Sequence, residues 1–341
     1  MRAARIHEYG RPLIVEDVPT PVAGPGQVLV RVEGAGFCHS DLHIISGELP
    51  VLPALPHILG HENAGRVAAI GDGVTAVKPG DPVAVYGGWG CGGCDYCIDG
   101  EENLCPTMQW VGLSTHQGGY AEYLLVPHER YLVPLKTLSP QQAAPLTDAA
   151  LTPYRAVTRA MPWIVPDYPT LVIGCGALGQ YGVKLLRLLT GADVIAVDLD
   201  DKKLAAARAA GATQTVNARD EALAEKIQDA SGKRGVCAAF DFVGSETTLA
   251  LALAAARPGG RVVQIGLAGG TAHVSALAAK AEVTFSASWW GNIRELREVL
   301  SLAESGRLEL VPTEYWPLAR INDVYDALKR GDIAGRAVIT P

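Results

Sequence analysis

The chain has 341 residues, 48% hydrophobic and 19% charged, which suits two folded domains and excludes a disordered polyelectrolyte. A formal net charge of −7 argues against a nucleic-acid surface, and no apolar run reaches the roughly 18 residues of a membrane span. The opening MRAARIHEYGRP lacks the apolar stretch of a secretory signal, so the expectation is a soluble, cytoplasmic protein with neither nucleic acid nor membrane as a partner.

Residues 1–145 are rich in Gly, Pro and Val, and the segments 26–36, 61–71 and 81–87 read as short strands between turns. Residues 139–160 have helical spacing interrupted by prolines. A regular alternation then begins. Strands are expected at 170–174, 193–198, 213–217, 236–244, 261–267 and 281–288, and helices at 177–192, 200–212, 221–232 and 246–260. Strand–helix alternation implies a parallel sheet covered on both faces. The tail adds helices at 292–306 and 320–332 and a short closing strand.

Seven cysteines, an odd number, argue against a disulfide framework. Four of them, Cys91, Cys94, Cys97 and Cys105, fall in one glycine-rich loop. Four thiolates make a closed tetrahedral shell for a structural zinc. An iron–sulfur cluster is the competitor for C-x2-C-x2-C, and the flanking acids Asp95, Asp99, Glu101 and Glu102 count against a DNA-binding finger. Cys38, in GFCHSDLH (36–43), and His61, in LGHENAGRV (59–67), offer two ligands of a catalytic zinc. A buried cysteine and a core histidine explain that pair as well.

Gly174-Cys175-Gly176-Ala177-Leu178-Gly179 is G-x-G-x-x-G between an expected strand and helix. Its first glycine permits the turn, its second admits a pyrophosphate, and its third permits close helix–strand packing. Asp198 ends the next strand, where a carboxylate accepts hydrogen bonds from the adenosine ribose and repels a 2′-phosphate. With Lys203 also in reach of the ribose and no adjacent arginine, the expected cofactor is NAD.

These motifs, together with VKPGDPV (77–83), PLTDAALTPYRAV (145–157), VIAVDLDDKKL (194–204), FDFVG (240–244) and GRAV (335–338), resemble the zinc-dependent medium-chain alcohol dehydrogenase family over nearly the whole chain. Within it, bacterial secondary-alcohol dehydrogenases are the most similar group. The resemblance implies an α/β fold: a GroES-like β-rich catalytic domain (1–148, with the zinc loop at 88–106), a Rossmann domain (149–290), and a C-terminal segment (291–341) returning to the first. It implies two Zn²⁺ per chain and a catalytic ligand set of Cys38, His61 and Asp148, the last where many members carry cysteine. Glu62 becomes a carboxylate near that metal. Ser40, the nicotinamide ribose and His43 become a proton relay. Thr152, Val243, Ile265 and Arg336 become cofactor contacts, Arg336 at the pyrophosphate, and Trp89 and Trp290 become substrate-pocket walls. The implied reaction interconverts secondary or bulky apolar alcohols and their ketones or aldehydes by hydride transfer to NAD. Polyols or aromatic primary alcohols are the alternative substrates, and a homotetramer or dimer is the expected assembly.

Overall fold

The computed structural model describes residues 1–49, 52–275, 277 and 279–341. The chain divides into two compact units, Met1–Leu151 with Gly291–Pro341, and Thr152–Trp290.

The first unit is built on a seven-stranded sheet in the order Leu132–Pro134, Pro82–Val85, Glu62–Ile70, Val28–Phe37, Arg336–Thr340, Thr313–Pro317, with Tyr123–Val126 also paired to Val28–Phe37. Val28, Val30 and Val32 alternate along the central strand and are buried, the period-two pattern that fixes its register. That register sets Gly36 opposite Glu62 on one side, and Phe37 opposite Ala337 on the other. The ends of three strands remote in sequence therefore meet at one place. A smaller sheet joins Ile14–Asp17, Arg2–Ile6 and His57–Ile58.

The helical stretch at 139–160 is interrupted at a proline, as expected. It forms Pro140–Ala143, a 3-10 turn Ala144–Thr147, and a second helix Leu151–Ala160. Pro145 has no N–H to donate and its ring crowds the preceding turn, so the helix cannot run through it. Asp148 follows the 3-10 turn with φ −139°, outside helical geometry.

The second unit holds a six-stranded, all-parallel sheet ordered Gln214–Asn217, Val194–Asp198, Thr170–Ile173, Val236–Asp241, Ala256–Gln264, Thr284–Ala287. In chain order this is third, second, first, fourth, fifth, sixth, the doubly wound dinucleotide-binding arrangement. Leu171, Ile195, Val197, Val236 and Val262 fill its core. One boundary differs from expectation: the helix expected to reach residue 260 stops at Ala255, and the strand begins at Ala256. Pro258 accounts for this, because the residue before a proline is driven into extended backbone. Among the described residues no helix is long and apolar enough to cross a membrane.

Candidate metal centres and nucleotide site

The first centre lies where those three strand ends converge. Cys38 caps the helix His39–Ser46, immediately after the central strand. His61 and Glu62 stand at the entry to Glu62–Ile70, and Asp148 leaves the 3-10 turn. Ligand atoms of Cys38, His61, Glu62 and Asp148 all lie within 4.8 Å of one another, and all four residues are buried. Asp148 Oδ2 is 3.8 Å from Cys38 Sγ and 3.5 Å from His61 Nε2. Sulfur, nitrogen and oxygen around one tetrahedral zinc stand about 3.3–3.8 Å apart, so this donor set fits the ion.

Glu62 differs from the other three. Arg336 Nε donates to its Oε2 at 2.9 Å, and Arg336 Nη2 pairs with its Oε1, in a buried bidentate fork. The expectation gave Arg336 to a pyrophosphate; in the structure its guanidinium is engaged by Glu62 and stands 3.9 Å from Asp148 Oδ2. Gly36 makes room for this pair, since a Cβ there would come within 1.8 Å of Glu62 Oε2. Burial pushes the Glu62 carboxyl well above the usual carboxylate range, and the Arg336 charge opposes that rise. Burial also works against ionisation of Cys38, but Arg336 and His61 outweigh it and hold the thiol below its ordinary value.

Asp41 and Tyr120 stand behind His61. Asp41 is fully buried; its Oδ2 accepts the Cys38 N–H at 2.8 Å and the Tyr120 hydroxyl at 2.7 Å, and its Oδ1 lies 3.6 Å from His61 Nδ1. Burial disfavours the His61 cation, yet Asp41 and Asp148 raise its pKa well above the ordinary value. Neither Asp41 nor Tyr120 was singled out from the sequence. The aspartate within CHSDLH, one turn after the cysteine, was the available signal.

The expected relay residues share the helix His39–Ser46. Ser40 Oγ is 3.5 Å from His61 Nε2, and His43, half-buried, pairs through Nδ1 with Glu48 at 3.0 Å. Thr152 is buried in the first turn of Leu151–Ala160, in the second unit. Trp290 is buried in that unit with a left-handed φ of 45°. Trp89, expected as a pocket wall, is 2% exposed, donates Nε1–H to Tyr86 O at 2.7 Å, and packs on His116 and Tyr131. Two neighbouring rings and a satisfied indole N–H make it a core residue.

The second centre is the cysteine loop between Gly88–Trp89 and Gln109–Trp110. The sulfurs of Cys91, Cys94, Cys97 and Cys105 lie within 4.8 Å of one another, converging on a single point as one ion requires. A Cβ on Gly90 would come within 2.6 Å of Cys97 Sγ, so glycine there leaves space for the sulfur. Tyr131 Oη and Arg130 Nη2 both donate to Gly90 O and fasten the loop to the unit. Burial raises the Cys97 thiol to about 12. At Cys105 burial is outweighed by the Cys91 N–H and Thr107, which bring it to about 6.

In the second unit the strand Thr170–Ile173 runs into Gly174 at φ +86° and then the helix Ala177–Thr190. A Cβ on Gly176 would meet nothing within 4 Å, whereas one on Gly179 would collide with Gly174 O at 1.9 Å. The middle glycine thus faces open space at a helix N-terminus, a cradle suited to a pyrophosphate, and the last serves packing. Ala177 is buried and Leu178 half-buried in the helix's first turn. Asp198 accepts the Cys175 N–H at 2.7 Å and the Asp200 N–H at 3.0 Å, which fixes its carboxylate beside the turn. Each oxygen keeps a lone pair for a ribose hydroxyl. Lys203 is half-buried in the following helix, Val243 touches the Gly174 position, and Ile265 is buried just beyond Ala256–Gln264.

Comparison with known proteins identifies the family of the chain. Residues 24–137 match the alcohol dehydrogenase GroES-like domain and residues 177–305 the zinc-binding dehydrogenase domain. The chain is 38% identical to an NAD-dependent alcohol dehydrogenase of Sulfurisphaera tokodaii, with 100% of each chain covered. It is 35% identical to a D-arabinose 1-dehydrogenase (NADP(+)) of Saccharolobus solfataricus, over 100% of this chain and 97% of that one. The crystal structure of an alcohol dehydrogenase from Aeropyrum pernix superposes with a TM-score of 0.93 at 36% identity, covering 100% of both chains. The chain belongs to the zinc-dependent medium-chain alcohol dehydrogenase family. Its two units carry that family's GroES-like and Rossmann folds.

Proposed function

We propose that this protein is an NAD-dependent alcohol dehydrogenase that interconverts secondary or bulky apolar alcohols with their ketones or aldehydes. The observation that carries the reading is the convergence of Cys38, His61 and Asp148 around one point, with Glu62 already committed to Arg336. Three protein ligands leave a fourth position open, the mark of a catalytic zinc rather than a closed structural one. The cysteine loop would hold the structural ion. Zinc at the first centre supplies a Lewis acid that lowers the pKa of an alcohol, and NAD⁺ supplies the hydride acceptor.

The chain's own groups then have defined work. Cys38 and Asp148 bring negative charge to the centre, and the Arg336 guanidinium, held by Glu62 and 3.9 Å from Asp148 Oδ2, offsets it. Ser40 both donates and accepts, so it is suited to take the hydroxyl proton beside His61. The nicotinamide ribose hydroxyl would carry it on to His43, three residues along the same helix, half-exposed and paired with Glu48, which hands it to water. Asp198 holds the adenosine ribose and disfavours a 2′-phosphate, which supports NAD over NADP.

A homo-oligomer, dimer or tetramer, is part of the proposal: the strand Thr284–Ala287 is an edge of its sheet and Trp289 nearby is half exposed. The test is NADH formation with secondary alcohols, benzylic alcohols and polyols, before and after chelation, with mass by light scattering. Turnover of the secondary alcohol with NAD⁺, abolished by chelation and restored by zinc, is the expected result. A folded, zinc-loaded protein that oxidises only polyols overturns the substrate assignment.

A further inference from the structure

We propose that Tyr120 is a positioning residue of the first metal centre, orienting Asp41, and through it His61, by donating its hydroxyl to Asp41 Oδ2. This rests on the reading that Cys38, His61 and Asp148 hold zinc. The hydroxyl has one proton and two acceptors in reach, Asp41 Oδ2 at 2.7 Å and Gly36 O at 3.1 Å. The shorter contact is to the charged group, which takes the proton. Oδ2 also accepts the Cys38 N–H at 2.8 Å. With Oδ2 held by these two donors, Oδ1 is left toward His61 Nδ1, 3.6 Å away. A histidine ligand needs such a partner to fix its tautomer and ring plane.

The placement of Tyr120 spans both ligand-bearing segments. Its ring stacks on Phe37 at 5.3 Å, next to Cys38. Its backbone N–H donates to Leu59 O at 3.0 Å, and its ring occupies the space beside Gly60, where a Cβ would approach within 2.7 Å. Gly60 has φ +98° and immediately precedes His61. One side chain thus rests on the chain before each of two ligands and bonds the carboxylate between them. Fully buried, Asp41 depends on such donors, because a buried carboxylate with a missing partner is costly.

The test compares zinc release to a chelator from wild type, Y120F, D41N and the double variant, with circular dichroism as the fold check. Y120F is expected to release one zinc per chain about tenfold or more faster, the usual scale for loss of a partner behind a ligand. The cysteine-loop zinc should leave at the wild-type rate, and the visible spectrum of cobalt at the first centre should shift. In the D41N background the Y120F change should add little, because the hydroxyl acts through the carboxylate. Folded Y120F with wild-type release, equal loosening of both zincs, or additive effects of the two substitutions would each overturn the proposal. A wild-type chain that binds zinc only at the cysteine loop would instead overturn the reading beneath it.

Discussion

Replacing Arg336 with methionine tests the charge balance of the first centre. Glu62 is 0% exposed and Arg336 3%, so the pair has no solvent to screen it. Methionine keeps an unbranched apolar stem and removes both donors to Glu62. Removing one partner of a buried pair costs about 3–5 kcal/mol, because the carboxyl left behind must stay charged without a partner or take up a proton. At roughly 2–4 °C per kcal/mol for a unit of this size, R336M should melt about 10 °C lower. Calorimetry of the zinc-loaded protein measures the shift. The E62Q/R336M double variant should recover much of the loss, since it leaves neither charge stranded. A loss below about 1 kcal/mol in R336M, the worth of an exposed pair, would refute the reasoning. So would strictly additive costs in the double variant.

Two further outcomes follow from other sites. His57 is buried and its pKa is lowered to about 4 by burial, His116 and Arg5. The unfolded chain protonates near 6.5 and the folded chain only near 4, so stability falls as pH drops through that window, by up to about 3 kcal/mol. H57Q should flatten that slope in denaturant titrations at successive pH values, and parallel curves for the two proteins would contradict the assignment. Asp198→Ala removes the carboxylate fixed by the Cys175 and Asp200 N–H groups. It should raise KM for NAD about tenfold, roughly 1.4 kcal/mol, and narrow the preference over NADP. An unchanged cofactor ratio would remove Asp198 from the ribose site.

What the sequence discloses depends on how locally each feature is encoded. The turn at Gly174–Gly179 is a strand, three glycines and a helix in succession, so its geometry follows from neighbours. The four cysteines likewise lie in one loop. Asp148 became a candidate ligand only by resemblance: the prolines of its stretch announce a break, but not that the aspartate after it meets Cys38 and His61. The pairing of Arg336 with Glu62 spans 274 residues, and no spacing rule reaches that far. The surroundings of Trp89 are hidden for a related reason. An aromatic beside a metal loop packs equally well inward or outward, and only the positions of His116 and Tyr131 decide.

The first centre is therefore a consequence of strand register more than of any motif. Gly36 opposite Glu62, and Phe37 opposite Ala337, align three strand ends so that Cys38, His61 and Arg336 arrive together. Slipping one strand by a single residue would turn its own side chains to the other face and break the alignment. Gly36 records this dependence in the sequence: any larger residue would drive its Cβ into Glu62. A glycine two residues before a ligand cysteine is thus informative once its cross-strand partner is known. The metal centre and the sheet cannot be altered independently at that position.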